Sequence, residues 1–204
     1  MAKPVANQEL EVKFFLPGLK ALEARLVSLG ARLVQPRVHE INLRFDTPEN
    51  GLTNACQVLR LRQDTQARVT YKGPGVLQDG VRLRQELEFT VSDFATAQAL
   101  LEALGYVVVV MYEKYRAVYD LGTVHVTLDE MPYGCFAEIE GPTPADIRAA
   151  ARQLALDWEK RINDSYMVLF QNARQAMGFT FRDLSFANFE GLAVSPQALG
   201  IEKP

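Results

Sequence analysis

The sequence is poor in cysteine and histidine. Cys56 and Cys135 lie in separate segments and form no CxxC pair, which argues against both a disulfide framework and a thiolate zinc site. The two histidines, His39 and His125, are too few for a metal site built on imidazole. Any metal ion is therefore expected to bind to carboxylate oxygens, which favours Mg²⁺, Mn²⁺ or Ca²⁺.

Long apolar runs and an excess of one charge are also missing. The longest apolar run covers residues 106–112, whereas a membrane span needs roughly 20 residues. Residues 1–10 lack the apolar region of a signal peptide. We therefore expect a soluble, cytoplasmic protein without a membrane partner. The 22 Lys and Arg against 25 Asp and Glu give a net charge of −3, so no nucleic-acid partner is expected.

What is present fits one globular α+β domain. A chain of 204 residues with 48% hydrophobic and 23% charged residues can bury a sizeable core. Period-2 alternation predicts eight strands, at about 8–15, 39–46, 56–63, 67–73, 81–90, 113–120, 123–129 and 135–140. Helical patterns cover about 17–29, 92–105, 143–156 and 163–178. We assign residues 1–178 to the domain and 179–204 to a C-terminal tail packed on the domain or on a partner, which leaves a homodimer open.

The charged residues of the predicted strands share one face. In six strands they stand two residues apart, or four in the case of Arg68 and Lys72, with mostly apolar residues between them: Glu9, Glu11 and Lys13; Arg60 and Arg62; Arg68 and Lys72; Arg82, Arg84, Glu86 and Glu88; Lys114 and Arg116; Glu138 and Glu140. A solvated face would usually mix the two signs, because adjacent like charges repel. The repetition instead predicts that these faces line one cavity, whose charges need a polyanion and a metal ion for balance.

The residue types indicate what that cavity binds. Two glutamates two residues apart on a strand point the same way and can hold one hard cation. Arginine presents a planar pair of donors to phosphate oxygens, and lysine adds a point charge. Carboxylates and bases together predict a metal complex of a phosphate chain.

Glu9-Leu-Glu11-Val-Lys13 is an ExExK motif, and further segments follow it in a fixed order. These are Val58-Leu-Arg60-Leu-Arg62, Tyr71-Lys72-Gly-Pro74, Arg84-Gln-Glu86-Leu-Glu88, Glu113-Lys114-Tyr-Arg116 and Phe136-Ala-Glu138-Ile-Glu140. With this set, residues 9–166 resemble the CYTH family, the triphosphate tunnel metalloenzymes. The resemblance implies an eight-stranded antiparallel β-barrel with flanking helices, whose tunnel binds a small-molecule triphosphate with Mg²⁺ or Mn²⁺.

The resemblance also implies roles for individual residues. The metal ligands would be Glu9, Glu11, Glu138 and Glu140, with Glu86 or Glu88 at a second metal and Asp129 at a further acidic position. The phosphate oxygens would be held by Lys13, Arg60, Arg62, Lys72, Arg84, Lys114 and Arg116. For Lys13 and Lys114 two roles are open: plain phosphate binding, which we favour, and, with a pKa lowered by neighbouring cations, orientation or deprotonation of the attacking water.

Three functions are compatible with this resemblance. The first is hydrolysis of inorganic, nucleoside or thiamine triphosphate, and the second is the class IV adenylyl cyclase reaction, from ATP to cyclic AMP and pyrophosphate. The third is a non-catalytic polyphosphate-binding module, which should lack the glutamate pairs that are intact here. The cyclase-associated His-Phe dipeptide before ExExK is absent from residues 1–8. We therefore place hydrolysis slightly ahead of cyclisation.

Overall fold

The computed structural model describes residues 8–201, and its regular elements are strands and short helices. The strands are β1 (Gln8–Leu16), β2 (Arg32–Asp46), β3 (Val58–Gln63), β4 (Ala67–Gln78), β5 (Val81–Val91), β6 (Val107–Asp120), β7 (His125–Met131) and β8 (Gly134–Glu140). The α-helices are α1 (Lys20–Ser28), α2 (Gly51–Asn54), α3 (Phe94–Ala103), α4 (Pro144–Gln153) and α5 (Tyr166–Met177). Three 3₁₀ turns lie at Trp158–Lys160, Ala187–Phe189 and Pro196–Leu199.

The strands close into a barrel in the order β1-β5-β4-β3-β2-β6-β7-β8, so that β8 also pairs with β1. Each pair of neighbours is antiparallel. The prediction of an α+β fold with an eight-stranded antiparallel barrel and flanking helices is confirmed.

Three strands, β2, β4 and β6, are longer than the alternation predicts. β6 begins at Val107, within the apolar run, because this part of the strand is covered on both faces: Val108 packs beside Phe45 and Leu61, and Tyr112 packs in the cluster around Phe136. Covered on both faces, a strand loses its apolar–polar alternation. The first half of β2 has shifts in its register with β6 around Gln35, which break the alternation in another way.

Two of the three hydrophobic clusters in residues 8–201 lie on the outside of the barrel. Leu26 of α1 and Ile147 of α4 are fully buried against the outer face of β1, β7 and β8. Phe94 and Leu101 of α3 pack over β3 and β4. Because these helices take up the outward apolar side chains, the inward side chains are free to be polar.

The C-terminal segment packs on the barrel. Leu184 is fully buried, forms a parallel bridge with Tyr112 of β6, and donates its N–H to the Met111 carbonyl at 2.9 Å. Phe189 and Leu199 are buried in the same cluster as Phe136. Residues 179–201 therefore adjoin the strand that carries Lys114 and Arg116; residues 202–204 of the predicted tail lie outside the described residues. No helix in residues 8–201 is long and apolar enough to cross a membrane.

Candidate active site inside the barrel

A cavity of about 420 Å³ lies inside the barrel. Its lining includes ten basic side chains and seven glutamates: Lys13, Arg44, Arg60, Arg62, Arg68, Lys72, Arg82, Arg84, Lys114 and Arg116, with Glu9, Glu11, Glu40, Glu86, Glu88, Glu138 and Glu140. Of the predicted site residues, Asp129 alone is not part of this lining. The shared face read from the strand pattern is thus the inner face of the barrel.

Glu11 and Glu140 form the part of the lining in which negative charge is least compensated by bases. They face each other across β1 and β8, and within residues 8–201 neither has an ion pair or a side-chain hydrogen bond. Burial raises the pKa of Glu11, and the charges of Glu9 and Glu138 raise it further. Burial and the charges of Glu9 and Glu11 raise the pKa of Glu140 in the same way. Carboxylates held this close to one another favour the binding of either a proton or a metal cation, because both reduce their repulsion.

Glu9 differs from these two because it has a basic partner. The Lys72 ammonium donates to Glu9 Oε2 at 2.5 Å and lies 3.0 Å from Glu86 Oε2. Burial nevertheless raises the pKa of Glu9, against the lowering effect of Lys72.

Glu138 is held by two bases. Lys13 Nζ lies 2.9 Å from Glu138 Oε1, and Arg116 bonds to Glu138 Oε2. Burial alone would raise the pKa of Glu138, but Lys13 and Arg116 hold it well below its usual range. For Lys13, burial would lower the pKa, but Glu138 and Glu11 outweigh burial and raise it. The expected lowering of the Lys13 pKa is therefore wrong, and Lys13 stays a cation that donates hydrogen bonds.

Asp129 lies outside the cavity lining and binds two of the lining bases, Lys114 and Arg116. Its side chain is fully buried and accepts hydrogen bonds from Arg116 Nε at 2.6 Å, Lys114 Nζ at 3.3 Å and the Tyr166 hydroxyl at 2.7 Å. Three donors already occupy this carboxylate, so the contacts favour an anchoring role for Asp129 over the predicted contact with metal.

Glu40 is a site residue that the sequence analysis missed. It is fully buried on β2, with its carboxylate oxygens 3.6 Å from Lys114 Nζ and 3.7 Å from Arg62 Nη1. Burial would raise its pKa, but Lys114, Arg116, Arg62 and Arg60 together lower it to about 2. The signal was present, because Glu40, Asn42 and Arg44 alternate with Ile41 and Leu43.

The two remaining predicted ligands are paired with bases. Glu88 accepts from Arg62 Nη2 at 3.2 Å and from Thr70 Oγ1 at 2.8 Å, and Glu86 faces Lys72. Arg84 donates to the Gly73 carbonyl at 2.8 Å, which fixes its position in the wall. Within the described lining, Glu11 and Glu140 are thus the glutamates with the least basic compensation.

The first turn of α5 forms another part of the wall. Ser165, Tyr166 and Met167 line the cavity. Lys13 Nζ lies 4.4 Å from the centre of the Tyr166 ring and Lys114 Nζ lies 5.5 Å from it. The Tyr166 carbonyl accepts a hydrogen bond from Tyr133 at 2.8 Å. Tyr166 thus supports both lysines through cation–π contacts.

Whether a divalent cation fits the lining depends on how its carboxylates are arranged and on their chemistry. Residues 8–201 contain no three Asp, Glu, His or Cys side chains gathered as a preformed metal site. The donor chemistry does fit, because Glu11, Glu140 and Glu9 are hard oxygen donors whose raised pKa values reflect burial and mutual repulsion. A hard cation would relieve that repulsion.

Comparison with known proteins places this barrel in a family. The sequence profile of the CYTH domain matches residues 7–165, most of the chain. The chain belongs to the CYTH domain family. Over 135 residues it is 30% identical to adenylate cyclase CyaB of Aeromonas hydrophila, an alignment that spans 64% of this chain and 67% of CyaB.

Two solved structures show the same CYTH fold. The PH1012 protein of Pyrococcus horikoshii superposes with a TM-score of 0.67 at 27% identity, over 78% of this chain and 97% of PH1012. HpAC1 of Hippeastrum, described by a dominant triphosphatase activity, superposes with a TM-score of 0.61 at 20% identity, over 80% of this chain and 95% of HpAC1.

Proposed function

We propose that this CYTH protein is a divalent-metal-dependent triphosphatase that binds its substrate inside the barrel. The observation that carries the proposal is the composition of the lining, where ten bases and seven glutamates surround about 420 Å³. This number of bases exceeds what one phosphate requires, and it matches a chain of phosphates with a cation. Family membership supports the same class of substrate.

The bases would bind and orient the phosphate chain. Lys13, Lys114 and Arg116 are already fixed by Glu138, Asp129 and Tyr166, so little reorganisation is needed when phosphate oxygens replace water. Arg60, Arg62, Lys72 and Arg84 line the cavity from the neighbouring strands β3, β4 and β5 and would neutralise further phosphate oxygens along the substrate. Charge that develops on the leaving phosphate is stabilised by these cations.

Glu11 and Glu140, with Glu9, would hold Mg²⁺ or Mn²⁺. Such a cation, when bound, neutralises phosphate charge and orients an attacking water. Lys13, kept protonated by Glu138 and Glu11, serves as a donor to phosphate oxygen and not as the base.

Adenylyl cyclase activity is the second candidate, favoured by the name of the CyaB relative. The same base clamp would hold ATP, with the ribose 3′-hydroxyl attacking the α-phosphorus. HpAC1, described by a dominant triphosphatase activity, has the same fold, so the fold alone accommodates hydrolysis.

Product analysis separates the two reactions. Purified protein is incubated with Mg²⁺ or Mn²⁺ and, separately, tripolyphosphate, ATP and thiamine triphosphate, and the products are resolved by anion-exchange chromatography. We expect orthophosphate together with the diphosphate product. Cyclic AMP with equimolar pyrophosphate would overturn the triphosphatase proposal in favour of the cyclase. Tight binding of triphosphate without turnover would indicate a binding module.

Thermal unfolding tests the metal assignment independently of turnover. A carboxyl whose pKa is raised by folding holds more protons in the folded state, so stability falls as pH rises above about 4.5. Glu9, Glu11 and Glu140 act in this direction. We expect the Tm in EDTA to be lower at pH 8 than at pH 5, and Mg²⁺ to raise it by several degrees at pH 8 but by much less at pH 5. Equal effects of Mg²⁺ at both pH values would contradict this assignment.

A further inference from the structure

One sector of the cavity wall is uncharged, in contrast to most of the described lining. Gln35 of β2, Val118 of β6 and Thr127 of β7 are consecutive register partners across three neighbouring strands, and all three line the cavity. They lie towards the end of the barrel where β2 and β7 begin and β6 ends. The sector thus presents an amide, an apolar side chain and a hydroxyl side by side.

Two polar atoms of this sector have no partner within residues 8–201. Gln35 Nε2 and Thr127 Oγ1 are both shielded from solvent and make no hydrogen bond there. Thr127 as a whole is only 8% exposed. Buried polar groups are nearly always hydrogen-bonded, and leaving one unpaired costs stability, so an unpaired pair on a cavity wall points to a ligand.

A second uncharged part of the wall, at the start of α5, lacks this property. Ser165 Oγ accepts the N–H of Val168 as the helix cap, and the Tyr166 hydroxyl donates to Asp129. Both side chains thus have a hydrogen-bond partner within residues 8–201. Among the uncharged polar side chains of the described lining, Gln35 and Thr127 are therefore the ones with a buried atom that has no partner.

We propose that Gln35, Val118 and Thr127 form the subsite for the organic group of the substrate, and that this group is a nucleobase carried on a triphosphate. The inference rests on the proposed function, since the phosphates must occupy the base-lined part of the cavity. A nucleobase is a flat, uncharged ring with donors and acceptors on its edge. Its face suits Val118, and its edge suits the amide of Gln35 and the hydroxyl of Thr127.

The register of β2 explains why Gln35 reaches this position. Between Gln35 and Val38 the pairing of β2 with β6 shifts, since Gln35 pairs with Val118 while Val38 pairs with Arg116. Three residues of β2 therefore span the same length as two residues of β6. This irregularity is a β-bulge, and a bulge changes the direction of the side chain next to it. Inorganic tripolyphosphate would need no such uncharged sector.

Kinetics with two substrates test the subsite. We would measure kcat/KM for ATP and for tripolyphosphate in the wild type, in Gln35→Leu and in Thr127→Val, with Val58→Thr as the control for an uncharged wall residue outside the sector. Thr127→Val and Gln35→Leu remove the hydrogen-bonding groups at nearly constant volume. We expect the ratio of kcat/KM for ATP over that for tripolyphosphate to fall about tenfold in each variant and to stay constant in Val58→Thr.

The outcomes separate the subsite from the proposed function. A ratio that stays within twofold of wild type in folded Gln35→Leu or folded Thr127→Val overturns the subsite, as does a wild type that hydrolyses tripolyphosphate and does not bind ATP. If calorimetry shows that the wild type binds neither compound in the presence of Mg²⁺, the proposed function fails and the subsite fails with it.

Discussion

Turnover of triphosphate by the Glu11→Gln variant is expected to fall about 1000-fold or more, because the change removes a hard oxygen ligand at the proposed metal position. The variant should still fold. Without metal at pH 8 it should be more stable than wild type, since Glu11 forms no ion pair within residues 8–201, and burial, Glu9 and Glu138 outweigh Lys72 and Lys13 in raising its pKa. Steady-state kinetics in saturating Mg²⁺ and chemical denaturation in EDTA measure the two effects.

Glu138→Gln provides the matched comparison, as it too removes one glutamate of the inner wall. It should abolish turnover in the same way but lower stability by about 3 kcal/mol, because Lys13 and Arg116 lose a buried partner. If the activity of Glu11→Gln stays within a few-fold of wild type, Glu11 is not a ligand of the metal ion. Equal losses of stability in the two variants would show that the charge environments described above are wrong.

The Asp129→Asn variant is expected to lose about 3–5 kcal/mol of unfolding free energy, the usual cost of removing one partner from a buried ion pair. Asp129 is fully buried and receives Arg116, Lys114 and the Tyr166 hydroxyl. The asparagine keeps the shape of the side chain but not its negative charge. The positive charges of Lys114 and Arg116 would then be less well balanced. Urea denaturation at pH 7 measures the loss.

Asp120→Asn is the control, because Asp120 also pairs with an arginine, Arg32 at 2.8 Å, but at the surface, where the Arg32 side chain is 73% exposed. An exposed pair is worth less than about 1 kcal/mol. If Asp129→Asn lowers the free energy of unfolding by no more than Asp120→Asn does, Asp129 is not the anchor of Lys114 and Arg116. That result would support its predicted role as a metal ligand instead.

Much of the site was predictable because a strand places every second side chain on one face. Glu9, Glu11 and Lys13 show this on β1, and Arg60 and Arg62 show it on β3. Alternation is a local property of the chain and needs no knowledge of the neighbouring strands. Closure into a barrel then turns one face of each strand into one wall.

Other parts of the site depend on contacts that the sequence pattern does not contain. The bulge at Gln35 changes which face a residue occupies, and nothing in the alternation marks its position. The role of Asp129 follows from which donors surround it, and one of these, Tyr166, comes from a helix 37 positions further along the chain. Glu11 and Glu138 have the same residue type, yet their pKa values move in opposite directions because of their neighbours.

The pairing of β1 with β8 has a consequence for the order in which the site is assembled. Glu11 faces Glu140 across this seam, so two ends of the domain, separated by most of its length, must meet before the acidic part of the wall exists. Contacts so distant in sequence form slowly. During synthesis, the bases of β3 to β6 leave the ribosome before Glu138 and Glu140 do. The acidic part of the wall is therefore complete only when the last strand of the barrel pairs with the first.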